Sequence, residues 1–129
     1  MALAYSTTVR NAMLDAITTA AGANATLKFY DGTRPATNGA ATTLLATLTC
    51  GATFAAGASG GVLTLNAITG ANASATGTAT WARLASSGGT FVADLSVGTS
   101  GSDLNMTTTS FVSGQPVAVS SFVITEGNP

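Results

Sequence analysis

Beyond Gly22 the apolar residues of this chain keep to a two-residue period. Over 25–30, Ala25, Leu27 and Phe29 fall on one parity while Lys28 and Tyr30 fall on the other. Successive side chains of a strand point to opposite faces, so the alternation marks a half-buried strand. Residues 44–50 repeat it, with Leu44, Ala46, Leu48 and Cys50 sharing a face. Residues 62–68 follow a Gly-rich turn and give a third run. Residues 78–85 and 90–97 are separated by Ser86-Ser87-Gly88-Gly89, a loop short enough to close a hairpin. In the second arm Phe91, Ala93, Leu95 and Val97 face one way, and Val92, Asp94 and Ser96 the other. Residues 104–112 are less regular. Residues 117–125 set Val117, Val119, Ser121 and Val123 against Ala118, Ser120, Phe122 and Ile124. The small-residue stretches 51–61 and 69–77 read as loops or weak edge strands. The expectation is a mainly β fold, a β-sandwich or jelly roll of about seven to eight antiparallel strands. It forms a single domain over 1–129, with the β body at 25–125.

A helical period exists only before Gly22. Ser6 is a good N-cap, and Val9, Met13 and Ile17 follow at four-residue spacing, with Ala12, Ala16 and Ala20 beside them. Gly22 can take the positive φ that ends a helix. A helix is expected over 6–21, with Arg10 and Asp15 on its outward side. Its apolar stripe is narrow, which suits a helix lying across a sheet or against a neighbouring subunit.

Charge is scarce: 7% of residues are Asp, Glu, Lys or Arg, against about 25% in an average soluble protein. Ala, Thr, Gly and Ser make up more than half of the chain, so the mean hydropathy of +0.41 owes much to alanine, a poor core filler. A surface that relies on hydroxyls, at net charge −1, favours burial in an assembly, here a homo-oligomer (dimer or trimer). Four basic residues cannot build the cationic track that phosphates need, so no nucleic-acid partner is expected. No apolar run approaches the ~18 residues of a membrane span, and no membrane partner is expected. The start, MALAYSTTVR, lacks the basic region and apolar core of a secretory signal.

Catalytic constellations are missing from the sequence. There is no histidine, the commonest general base and metal ligand. Cys50 is alone and, on its alternating parity, reads as a small buried hydrophobe. Asp15, Asp31, Asp94, Asp103 and Glu126 are scattered over different elements, with no spacing that pairs two of them for acid–base work. Asp103-x-Asn105 lacks the further ligands of a calcium loop and is more simply a turn. The reading is of a non-enzyme with no cofactor and no metal. Trp81 and Tyr30 could form an aromatic platform for a sugar, or they could be a core anchor and the cover of a sheet edge.

One polar stretch stands out, YDGTRPATNG at 30–39. Asp31-Gly32 turns the chain out of a strand, Pro35 stiffens the exit, and Asn38-Gly39 marks a second turn. The connection is longer than a hairpin needs, and long ordered loops are often functional. Either Asp31 and Arg34 pair to hold the loop, or the loop docks onto another protein. The candidate interface is Tyr30, Asp31, Arg34, Pro35 and Asn38.

Three segments, AYSTTVRNAMLDAITTA, LKFYDGTRPA and VGTSGSDLNM…SFVSGQPVAVSSFVITEG, resemble small structural proteins of tailed bacteriophages, in order over nearly the whole chain. The resemblance is to capsid cement or decoration proteins. It implies a sandwich or jelly-roll body that binds and stabilises a shell of the major capsid protein. It implies a place on the outer surface of the virion, after synthesis in the host cytoplasm, and no catalytic residues. The alternative is a tail or fibre component with a carbohydrate-binding β-sandwich.

Overall fold

The computed structural model describes residues 4–125, which form a mainly β fold with one helix. Helix α1 (Thr7–Ala21) precedes eleven short strands among the described residues: β1 (Thr26–Tyr30), β2 (Leu44–Thr49), β3 (Val62–Thr64), β4 (Ala71–Asn72), β5 (Gly77–Thr78), β6 (Trp81–Ala85), β7 (Phe91–Gly98), β8 (Leu104–Asn105), β9 (Ser110–Phe111), β10 (Pro116–Val117) and β11 (Val123–Thr125). Five make one sheet in the order β2-β1-β6-β7-β8. Its pairs are antiparallel except β7 with β8, which run parallel. The others form three two-stranded ribbons, β10-β4, β11-β3 and β5-β9.

The strands are shorter than the alternation suggests because the chain changes hydrogen-bonding partner within each apolar run. In the run 78–85, the Ala79 amide donates to Thr109 and the Thr80 amide to Tyr30 before β6 begins. In the run 62–68, Leu65 donates to Phe122 and Asn66 to Phe54. Runs 104–112 and 117–125 each divide into two strands. Alternation reports which face is buried; it does not report which strand lies alongside.

The 86–89 hairpin forms as expected. Gly89 donates to Ser86 and Ser86 to Thr90, both at 2.9 Å, with Gly89 at φ 90°. Two bulges then change parity. Between β6 and β7 the register shifts at Leu84/Ala85, so Phe91 opposes Ala85 and leaves the core face on which alternation placed it. Val92 packs against the core in its stead. Between β1 and β2 the shift at Phe29/Tyr30 leaves Leu44 opposite Tyr30, 37% exposed, while Leu45 is wholly buried. An inserted residue in one strand has this effect on all that follows. Leu45 fills its site so closely that a Cβ at Gly77 would come within 3.0 Å of it.

The sheet's inner face carries Leu27, Phe29, Ala46, Leu48, Ala82, Leu84 and Leu95. They share one buried cluster with Leu63, Phe111, Val117, Val119 and Phe122 from the ribbons and loops. Phe29 meets Phe111 edge to face at 5.5 Å, a favoured aromatic geometry. In 117–125 the phase slips, so Phe122 is buried and Val123 exposed.

Helix α1 starts at Ser6, whose Oγ accepts from the Val9 amide at 3.2 Å, and ends at Gly22 with φ 67°. Its buried face differs from the expected one. Leu14 and Ala21 are buried and Ile17 packs on the core, whereas Val9 is 43% exposed. Asp15 is not outward either. Asp15 Oδ1 accepts from the Ala58 amide at 2.8 Å, and Asn11 Oδ1 from the Gly61 amide at 2.9 Å. These bonds to the 58–61 turn fix the helix rotation and override the short Val9–Met13 stripe.

Candidate functional site

Opposite the core, the outer face of the sheet is ordered in rows by strand register. One row is Leu44, Tyr30, Trp81 and Ser96; the next is Thr47, Lys28, Arg83 and Asp94. Tyr30 stacks on Trp81 with ring centroids 4.4 Å apart and planes 16° from parallel. The Arg83 guanidinium lies 5.2 Å from the Trp81 ring and 5.5 Å from the Phe91 ring, within cation–π range. The bulge between β6 and β7 has therefore given Phe91 a role outside the core.

Residues 31–43 form a strap across this face. At its base, Asp31 Oδ1 accepts from the Thr43 amide at 3.1 Å, and Asp31 N donates to the Thr43 carbonyl at 3.3 Å. Thr42 Oγ1 donates to the Asp31 carbonyl. Trp81 Nε1 donates to that same carbonyl and to Thr42 Oγ1, each at 3.0 Å. The indole thus closes the strap while satisfying its own buried N–H. Further out, the Asn38 amide donates to Asp94 Oδ2 at 3.1 Å, and Arg83 Nη2 donates to the Gly39 carbonyl at 2.8 Å. Asn38 sits at φ 56°, a left-handed position that Asn tolerates. A Cβ at Gly39 would lie 2.9 Å from both the Ala36 carbonyl and Pro35 Cβ, so the turn needs glycine there.

Asp94 and Arg83 anchor the arrangement. Arg83 Nε and Nη2 donate to the two Asp94 oxygens at 2.7 and 3.0 Å, a bidentate pair whose side chains are 16% and 3% exposed. The hydrogen bond to Asp94 raises the Arg83 pKa, against an opposing effect of burial. Burial also raises the Tyr30 pKa, with Arg83 opposing and Asp94 reinforcing. Neither side chain is tuned toward proton transfer near neutrality.

All five candidate interface residues belong to the strap or its root, yet they do not share one exposure. Arg34 and Asn38 are exposed, Asp31 and Pro35 half-buried, and Tyr30 only 7% exposed beneath the strap. Asp31 and Arg34 make no ion pair: Asp31 caps Thr43, and Arg34 Nη1 reaches the Asp94 carbonyl at 3.4 Å. Trp81 is fully buried, but beneath the strap and not at the core centre. Tyr30 is stacked on it, with little of its ring exposed to form a platform.

Sequence reasoning missed Arg83, Asp94, Thr42 and Thr43. Arg83 and Asp94 are opposite charges on the two arms of the recognised hairpin, in a chain with few charges. Continued without a shift from the Ala85–Phe91 pair, the hairpin would set Arg83 opposite Ala93, and the bulge brings Asp94 to it.

Elsewhere the polar groups act as structural ties. Asp103 Oδ2 accepts from the Ser96 amide and Ser96 Oγ from the Asp103 amide, both at 2.9 Å, which closes the 96–103 turn. Cys50 is 2% exposed, and burial pushes its thiol up to about 11. Among the described residues no three of His, Cys, Asp and Glu gather in a metal-binding group, and no helix is long and apolar enough to cross a membrane. Glu126 lies outside the described residues. In comparisons with protein-family models, curated proteins and solved structures, nothing matches the chain.

Proposed function

We propose that this chain is a non-catalytic virion structural protein, a cement or decoration protein that binds the major capsid protein shell of a tailed phage from outside. The observation that carries the reading is the strap. It is tied at its base by Trp81 and Thr43 and at its tip by Arg83 and Asp94. Those ties spend the buried polar groups on holding the loop's shape, and they leave Thr33, Arg34, Ala36, Thr37 and Asn38 outside. A loop held in this way loses little conformational entropy on docking, which is how preorganisation raises affinity. Low surface charge and many identical sites on a lattice fit weak contacts multiplied by avidity, with copies joined as a dimer or trimer. In this reading the ribbons form the second layer of a sandwich, because Leu63, Phe111, Val117 and Phe122 share the buried cluster with the sheet's inner face. The resemblance of the three sequence segments to phage cement proteins supports the same partner. A carbohydrate-binding tail or fibre module finds less support, since Trp81 and Tyr30 are buried.

The test is gold labelling of virions purified from a lysate that contains the chain, with an antibody raised against it. Label distributed over the head is the expected result. Label confined to the tail or its fibres would overturn the capsid reading.

A further inference from the structure

The sheet stops short along the outer edge of β7, which β8 covers only at Val97 and Gly98. In an antiparallel pair, alternate residues turn their N–H and C=O groups toward the partner and away from it. The Val97 amide donates to the Thr80 carbonyl at 3.0 Å, so Ala93, Leu95 and Val97 face β6 while Asp94 and Ser96 face out. Asp103 takes the Ser96 amide. The Asp94 amide has no partner among the described residues, and its carbonyl has only the 3.4 Å contact from Arg34. β11 has a free edge of the same kind. Leu65 donates to the Phe122 carbonyl, so Phe122 and Ile124 face β3. The N–H and C=O of Val123 and the N–H of Thr125 face away, with no partner among the described residues.

Both free edges line one cleft of about 400 Å³. Residues 93–95 make one wall and residues 122–125 the other, over a floor of Ile17 from α1 and Leu84 from β6. Consecutive residues of both parities line each wall, so each strand meets the cleft edge-on. We propose that this cleft receives an extended arm of another protein, which enters as a strand between β7 and β11 and joins the five-stranded sheet to the β3-β11 ribbon. Its backbone pairs with Asp94 on one side, displacing the long Arg34 contact, and with Val123 and Thr125 on the other, as in strand addition to a sheet edge. Its inward side chains are apolar, to suit Ile17 and Leu84, and alternate with polar ones. A folded second copy cannot supply this strand. Every strand of the described residues already has at least one edge paired, and the guest needs both edges open. The guest is therefore a segment with no sheet of its own. The inference is separate from the strap and does not rest on the capsid reading.

The probe is a short blocked peptide of alternating threonine and valine, titrated into the isotopically labelled full chain and followed at the backbone amides by NMR. Two further versions, N-methylated on one or the other set of alternate amides, each lose the donors to one wall. Saturable shifts centred on Asp94, Val123 and Thr125 are expected with the parent peptide, with slowed hydrogen exchange at all three. Each methylated peptide should bind at least about tenfold more weakly, because it loses the hydrogen bonds to one wall. Val123→Pro removes a donor that β3 does not use, at an edge position where proline is tolerated. It should weaken binding by a similar factor and melt near the parent. If it melts clearly lower, Ala93→Leu, which fills the cleft from β7, takes its place with the same expectation. No saturable shift, protection at one wall alone, or full affinity of a methylated peptide or of the cleft variant would each overturn the inference. So would amides already protected in the chain alone, to an extent that rises with its concentration, which is the sign of a second copy in the cleft.

Discussion

Deleting the Asp94 carboxylate should release the strap and cost much more than an ordinary surface charge. The Asp94 side chain is 3% exposed and accepts from Arg83 Nε at 2.7 Å, Arg83 Nη2 at 3.0 Å and the Asn38 amide at 3.1 Å. In Asp94→Ala the Arg83 guanidinium, 16% exposed, keeps the Gly39 carbonyl and two aromatic rings but no counter-charge. Removing one partner of a buried pair costs about 3–5 kcal/mol. Residual exposure and the Gly39 bond place this case near the lower end, at about 3 kcal/mol. For a domain of this size that is a fall of about 9–15 °C in Tm. Calorimetry or urea unfolding measures it, and hydrogen exchange at Asn38 reports the strap directly. Arg83→Ala should cost about as much, since it leaves the Asp94 carboxylate, 3% exposed, with the Asn38 amide and no counter-charge. The double variant should lose less than the sum of the two, as coupled neighbours do. A loss below about 1 kcal/mol, the range of exposed pairs, with Asn38 still protected, would show that the strap does not depend on this pair.

Trp81→Ala should cost about 3–5 kcal/mol, the range for a buried large aromatic, and a parent-like urea midpoint would mean that the indole is exposed in solution. Asp15→Ala strips the Ala58 amide of its acceptor and should cost about 1–2 kcal/mol, with exchange rising first in α1; uniform exchange across the chain would contradict the docking of the helix through the 58–61 turn. Cys50, with its thiol pushed up to about 11 by burial, should resist thiol reagents at pH 8 until the protein unfolds. Because the folded value lies above the unfolded one, its contribution to stability is complete below about pH 9 and fades as pH rises through about 11; rapid labelling of native protein at pH 8 would place the sulfur at the surface.

What could be read from the sequence was what side-chain period controls. Alternation after Gly22 located the apolar runs and the 86–89 hairpin, and Ser6 and Gly22 bounded the helix within a residue. Pairing was illegible, because the ribbons join segments far apart, such as Pro116 with Asn72 and Thr125 with Val62. Bulges defeated facing at two points: single insertions moved Leu45 inward and Phe91 outward, and no local residue type announces them. The helix face was misjudged because its rotation is set by Asn11 and Asp15 bonding to a distant turn. The polar stretch at 31–39 was identified, but its ties to Arg83 and Asp94 span more than forty positions in sequence. A charge-sparse chain nonetheless leaves a clue, since its few buried charges must find one another.

The central claim is that this protein binds a capsid shell through the outer face of its strap. The direct measurement is the number of copies bound by tailed-phage shells stripped of this component, for the wild-type chain and for Arg34→Ala, alongside both melting temperatures. Saturable uptake of the wild type, with lower occupancy of an Arg34→Ala chain that melts normally, is expected: an interface arginine often contributes more than about 1 kcal/mol, and avidity multiplies the loss. Shells that take up neither chain, or both chains equally, would contradict the claim.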